Sequence, residues 1–174
     1  MIATFEAFAP PLAETDRDAL AALLLDAVEG NASIGFPADT THEAALSFWS
    51  GVEADVAGGQ ALLFGSRSAG SLVATVQLRF SSFPNGRHRA EVAKLLVHSS
   101  ARRHGLGTML MQRVEEAAAA AGKTLLFLDT ETGSAAEKLY RGLGWMQAGS
   151  IPEFAYRPDG ALRASTFFYK ALKA

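Results

Sequence analysis

Cysteine is absent from the chain, which excludes disulfides, thiolate zinc sites and a cysteine nucleophile. Neither sign of charge is in large excess. The formal net charge is −2 and the sequence pI about 6.1. Nucleic-acid binders usually carry a basic surplus, so that class is disfavoured; the one local basic cluster is Arg102-Arg103-His104. No apolar run approaches the roughly 20 residues that cross a bilayer. Met1 to Phe8 lacks a positive n-region and is too short for a signal peptide, so a soluble, cytoplasmic protein is expected. Gly-x-x-x-x-Gly-Lys-Ser/Thr is missing, which leaves a P-loop unsupported, and no His-x-x-x-His pair or carboxylate cluster points to a metal. There is no internal repeat, linker or low-complexity segment.

What is present is a chain of 174 residues, 49% apolar, enough for one domain with a sizeable core. Its centre is Ala90 to Gly122. Ala90 to Val97 has enough apolar residues for a buried strand. Arg102 to Gly107 is a basic, glycine-bearing turn. From Leu106 the period becomes 3.6, with Leu106, Leu110, Val114 and Ala117/Ala118 on one face. A strand, a glycine turn and a helix start present backbone N–H groups and a helix dipole to an anion. The run Gly105-Leu106-Gly107 lacks the third glycine of a dinucleotide fingerprint.

Around this centre, Ile2 to Phe8 reads as a first strand, stopped by Pro10-Pro11. Thr15 or Asp16 caps a helix running to about Val28. Thr40 or Thr41, with Glu43 nearby, opens a second, which Gly58-Gly59 closes. Gln60 to Arg67 and Gly70 to Phe80 form a hairpin across Ser68-Ala69. Phe83 to Gly86 is a turn in which Asn-Gly supplies positive φ. Lys123 to Thr130 is a nearly continuous apolar strand. It suits a parallel partner of the Glu91 strand, with the motif helix as crossover. A short helix spans Ala135 to Leu143, Gly144-Trp145 enters another strand, and Ala164 to Ala171 is the last.

Arg102-x-x-Gly105-x-Gly107, preceded by Leu95-x-Val97, resembles the acetyl-CoA signature of the GNAT N-acetyltransferase superfamily. Ala135 to Trp145, with Tyr140 one turn before Gly144-Trp145, resembles the second motif of that family, in the same order and at the usual separation. The resemblance covers most of the chain. It implies an α/β fold with a single GNAT-like domain over residues 1–174. The sheet would be mixed and mainly antiparallel, with six or seven strands, about four flanking helices and splayed central parallel strands. Glu91-Val92-x-Lys94-Leu95, Leu128-Asp129-Thr130-Glu131-x-Gly133-Ser134 and Pro158-Asp159-Gly160 before Thr166-x-Phe168-Tyr169-Lys170 are similar to the tabtoxin-resistance acetyltransferase type. Many family members carry asparagine where this chain has Gly133; that type also departs from it.

The resemblance makes acetyl-CoA the cosubstrate. Backbone N–H groups from Arg103, His104, Gly105, Leu106, Gly107 and Thr108 would hold the pyrophosphate. Arg102, Arg103 and Lys138 would add charge, unless they are solvated surface residues. The edge of Leu95, Leu96 and Val97 would pair with the pantetheine amides, with an N–H near Leu96 or Val97 as oxyanion donor. Ser134 belongs to the same binding set. Tyr140 is the candidate acid for the leaving thiolate, against a plain core role between Leu139 and Leu143. Glu91 and Asp129 are the candidate bases, each a carboxylate in an otherwise apolar strand. Strand-start exposure for Glu91 and turn capping for Asp129 stand as the alternatives.

The remaining polar residues rank lower. His42, His98 and His104 read as helix-start, surface or turn residues, and Glu153 as a second anchor for a cationic substrate. Trp49, Phe83, Phe154 and Tyr156 read as core or as walls of an acceptor pocket. The expected partner is a small-molecule amine, amino-acid-like or antibiotic-like, with no nucleic acid and no membrane, in a monomer or homodimer. A peptide N-acetyltransferase and a non-catalytic CoA-binding sensor are the alternatives.

Overall fold

Two amphipathic helices, α1 (Glu14–Glu29) and α2 (His42–Ala57), follow strand β1 (Ala3–Ala7) in the computed structural model, which describes residues 3–172. Ile2 of the expected first strand lies outside the described residues. Thr41 caps α2 as anticipated, its Oγ1 accepting the Ala44 N–H at 3.1 Å. The expected cap of α1 is corrected. Ala13 holds that position without a side-chain bond, and Asp16, inside the first turn, pairs instead with Arg67 of strand β2. Glu53 reaches across from α2 to fix the entrance to α1, accepting Leu12 N–H at 2.8 Å and Arg17 Nε at 2.8 Å.

Strands β2 (Ala61–Ser68) and β3 (Ser71–Phe80) form the predicted hairpin. Its turn is Ala69-Gly70 rather than Ser68-Ala69. Both turn residues have positive φ, +49° and +85°, which suits the twist of a two-residue loop. The Asn85-Gly86 expectation is also corrected. Pro84–Gly86 is a single 3₁₀ turn, and neither Asn85 nor Gly86 takes positive φ. Glycine is needed there because a Cβ would collide with Ser81.

Next come β4 (Arg89–Val97), α3 (Leu106–Ala120), β5 (Leu125–Glu131), α4 (Ala135–Gly142), β6 (Met146–Tyr156) and β7 (Leu162–Ala171). They complete one seven-stranded sheet of order β1-β2-β3-β4-β5-β7-β6. All pairings are antiparallel except β4 with β5, which α3 connects. The mixed, mainly antiparallel sheet and its flanking helices are those the sequence led us to expect.

Two apolar layers cover the sheet. Leu106, Leu110, Met111 and Val114 of α3 pack on Val76, Leu78, Val92, Leu126 and Leu128, with Tyr140, Trp145 and Phe168. Leu20, Leu23, Leu24 and Val28 of α1, with Ala45, Trp49 and Val52 of α2, pack on Leu63, Leu72 and Leu96 of the other face. The period-3.6 stripes of the helices meet the period-2 faces of the strands, so each layer excludes water along its length.

Candidate functional site: a splayed strand pair and a charged cleft

β4 and β5 are joined by only three register pairs, Arg89–Leu125, Ala90–Leu126 and Glu91–Phe127. Beyond Glu91 the strands part. β4 runs on to Val97 and β5 to Glu131 without pairing to each other. Backbone N–H and C=O groups on the facing edges are left for a ligand, since such groups rarely stay unpaired. Leu95, Leu96 and Val97 lie on this open stretch of β4. Leu95 and Val97 pack toward α3, and Leu96 toward α1 and α2.

A bulge bends β4 within that stretch. Gln77 opposes Ala93 and Thr75 opposes Leu96, so Lys94 and Leu95 together face Val76. Lys94 absorbs the extra residue at φ +50°. Ala93 and Lys94, although consecutive, consequently both line a cavity of about 270 Å³ between the sheet and α2. Gln77 and Arg79 of β3 and Phe48 of α2 share that cavity.

The glycine turn leads from β4 into α3. Arg103 and Gly105 have φ of +65° and +80°, and Gly105 is the N-cap of α3. Met109 N–H makes the first helical bond, to Gly105 O at 3.0 Å. The N–H groups of Leu106, Gly107 and Thr108 therefore lack a helical acceptor, as a phosphate cradle requires. Gly107 allows close packing: a Cβ there would lie 3.1 Å from Leu139 Cδ2. Arg102 turns toward the fold, Nε donating to Val97 O at 3.0 Å and Nη2 facing Asp26 at 3.5 Å. His104 Nδ1 lies 2.9 Å from Arg102 O. Arg103 and Lys138 are exposed.

Ser134 caps α4, its Oγ accepting Glu137 N–H at 3.1 Å and lying 3.4 Å from Thr130 Oγ1. Glu137 returns to the same turn, accepting Gly133 N–H, and Arg141 Nη2 donates to it at 2.7 Å. These bonds hold its carboxyl below the usual range. This Ser-x-x-Glu cap was open to reading in the sequence. It fixes the register of α4 and with it Tyr140.

Tyr140 is 6% exposed, its ring 6.0 Å from Trp145 and 6.1 Å from Phe168. Burial, and secondarily the Asp129 carboxylate, push its phenol well above the ordinary value. A hydroxyl so held stays protonated and can donate. Asp129 is exposed on the stretch of β5 that has parted from β4 but still pairs with β7, on the sheet face opposite Leu126 and Leu128. Glu91 pairs with Phe127, two residues before Asp129, and so lies on the same face. Glu91 Oε2 is engaged by Arg79 Nη1 at 3.6 Å. The structure thus places Glu91 and Asp129 on one face of the parting strands, while Tyr140 packs with Leu126 and Leu128 in the layer on the other face.

Sequence reasoning missed Lys94 and Gln77. Lys94 is a charged residue inside the apolar run Val92 to Val97, the same signal that singled out Glu91 and Asp129. Of the aromatics proposed as core, only Trp49 is buried; Phe83, Phe154 and Tyr156 are 65%, 46% and 64% exposed. His98 sits beside Asp26, Nε2 to Oδ1 3.7 Å, away from the cleft residues. Among the described residues no cluster of His, Asp and Glu is arranged to hold a metal, and no helix is long and apolar enough to cross a membrane.

A strand pair that parts beside a helix start with free N–H groups is the frame an acyl-CoA-dependent transferase requires. Residues 20–145 match the acetyltransferase (GNAT) family, and the chain belongs to that family. It is an acetyl-CoA-dependent N-acetyltransferase. Solved structures agree on the fold. An N-acetyltransferase from Staphylococcus aureus Mu50 superposes with a TM-score of 0.83 at 20% identity, covering 99% of this chain and 100% of that one. The ribosomal-protein-alanine N-acetyltransferase from Brucella melitensis gives 0.81 at 24%, covering 97% and 99%. The yncA protein of Salmonella typhimurium, solved with its cofactor acetyl-CoA, gives 0.80 at 22%, covering 98% and 94%.

Proposed function

We propose that the enzyme acetylates the primary amine of a small amino-acid-like or antibiotic-like molecule by direct attack, with no acetylated enzyme. The observation that carries this is the parting of β4 and β5 after Glu91, which leaves backbone groups of Leu95 to Val97 open on the β5 side. Bound acetyl-CoA supplies the activated acetyl thioester. The N–H groups of Leu106, Gly107 and Thr108, with Arg103 and Lys138, hold its pyrophosphate. Leu95, Leu96 and Val97 offer their open edge to the pantetheine, and an N–H at Leu96 or Val97 donates to the carbonyl oxygen as it gains charge.

Asp129 accepts the amine proton, directly or through water, and Tyr140 delivers a proton to the departing thiolate. Glu91, occupied by Arg79, shapes the field of the cleft rather than taking the proton. One C–N bond forms, one C–S bond breaks, and the proton lost by the amine is matched by that gained by CoA. The runs Glu91 to Leu95 and Leu128 to Ser134, similar to the tabtoxin-resistance type, support the acceptor class.

The test is CoA release followed with a thiol reagent across amines, amino acids and peptides. The absence of cysteine removes the protein's own background. Turnover on small amino-acid-like amines is the expected result. Turnover on peptides alone would overturn the acceptor class, and none on any amine would overturn the catalytic reading.

A further inference from the structure

The cavity beside the β4 bulge has no place in the acetyl-transfer steps, and its walls are chemically one-sided. Lys94 Nζ lies 5.8 Å from the ring centre of Phe36 and 5.5 Å from that of Phe48. Among the described residues it makes no ion pair within 4.0 Å. Lysines withdrawn from water normally find an anion. Burial, helped by the nearby Arg79 charge, holds this ammonium below its ordinary range, against the opposing pull of Glu91 and Asp129.

Gln77, also on the wall, is only 3% exposed, and its Nε2 is buried without a hydrogen-bond partner. A donor left in this state costs free energy until an acceptor arrives. Arg79, whose Nη1 also faces Glu91 at 3.6 Å and whose other N–H groups remain, completes a set of three donor groups on two adjacent strands. The one carboxylate on the cavity wall, Asp55, belongs to α2 and is exposed. The bulge that sets Lys94 at φ +50° is what brings it to the same cavity as Ala93.

We infer that Lys94, Arg79 and the Gln77 side-chain amide form a carboxylate-binding subsite, so that the acceptor is an amine that also bears a carboxylate, as a free amino acid does. The subsite lies on the same sheet face as Glu91 and Asp129. A zwitterion then meets cations at one end and carboxylates at the other. A polyamine or a decarboxylated amine brings nothing to Lys94 and leaves Gln77 unpaired. This rests on the acceptor being a small amine, and it narrows that class.

The experiment compares matched acceptors differing only in the carboxylate: phenylalanine against phenethylamine and phenylalaninamide, and lysine against cadaverine. In parallel, calorimetry in the presence of CoA measures binding of N-acetylphenylalanine and of N-acetylphenethylamine, which needs no turnover. The carboxylate-bearing member of at least one set should show kcat/KM about tenfold higher or more, and its N-acetyl form should bind more tightly by a similar factor. Lys94→Met should raise KM for that acceptor about tenfold, leave KM for acetyl-CoA within about twofold, and bring the matched ratio toward one, while Lys94→Arg retains most of the preference. Gln77→Leu, which removes a donor without touching Glu91, provides the same reading should the Lys94 variant not fold. Binding that depends on the carboxylate without any turnover would keep the subsite and overturn the catalytic reading. Turnover in which the amine lacking a carboxylate is equal or better, or in which Lys94→Met slows both members alike, would overturn the subsite and leave the transferase intact.

Discussion

Tyr140, Asp129 and Glu91 sit in different surroundings: the phenol is buried, Asp129 is exposed, and Glu91 faces Arg79. Tyr140 is buried and its phenol is raised above 10.0, so it remains a proton donor through the assay range. Tyr140→Phe should lower kcat about a hundredfold, with KM for acetyl-CoA little changed. The wild-type kcat profile should show no falling limb from this group below pH 10, because its deprotonation lies beyond that. Asp129→Asn should cost a similar factor in kcat/KM for the acceptor, and Glu91→Gln less than tenfold, since Arg79 already occupies Glu91. Stopped-flow measurement of the thiol separates these effects; a larger loss at Glu91 than at Asp129 would exchange their roles. Lys94→Met should unfold at or above the wild-type temperature, because it deletes an ammonium whose charged form the fold disfavours.

At the scale of elements, the turn into α3 depends on Gly105. Its φ of +80° carries no Cβ penalty, and the space around it is open. Gly105→Ala should therefore cost about 1–2 kcal/mol through backbone strain alone. Relaxation of the turn should also weaken acetyl-CoA binding severalfold by calorimetry. The cap of α4 is pH-sensitive. The folded carboxyl of Glu137 is held below the ordinary carboxyl value of 4.5, first by Arg141 and then by Gly133 N–H. Its contribution is complete above pH 4.5 and is lost as pH falls through the lower folded value. Glu137→Gln should lower Tm at pH 7 by about 4 °C and flatten the acid limb of a Tm–pH curve; an unchanged acid limb would remove Glu137 as its source. Most of these elements were legible in the sequence. The stripe of α3, the Thr41 cap and the apolar run of β5 are local patterns with one physical solution. The bulge at Lys94 was not, because it arises from how β4 registers against β3. The misread cap of α1 has a similar origin: Asp16 looks free in sequence, and only the fold brings Arg67 to it. The candidate bases were visible as charges in apolar strands. That Glu91 is engaged and Asp129 is not depended on Arg79, a residue twelve positions upstream of Glu91 and adjacent only in the sheet.

The whole molecule is one sheet, and its last hairpin is structural. The family match ends at Trp145, yet β7 lies between β5 and β6 and contributes Phe168, 1% exposed, to the core. Lys170 of β7 bonds Glu115 of α3 at 2.7 Å and Leu143 O at 2.9 Å. A chain ending at Trp145 should therefore lose cooperative thermal unfolding, since removing β7 bares Leu126 and Leu128; a sharp calorimetric transition in that fragment would show the hairpin to be dispensable. The two tryptophans of the chain fall in different layers of this architecture. Trp49 lies 5.1 Å from Phe48, the ring that faces Lys94, and Trp145 lies 6.0 Å from Tyr140. The protein thus carries two indoles, one beside the Phe48 ring that faces Lys94 and one beside Tyr140. With Trp49→Phe and Trp145→Phe each emitting from a single indole, the order in which the two substrates arrive becomes readable as light.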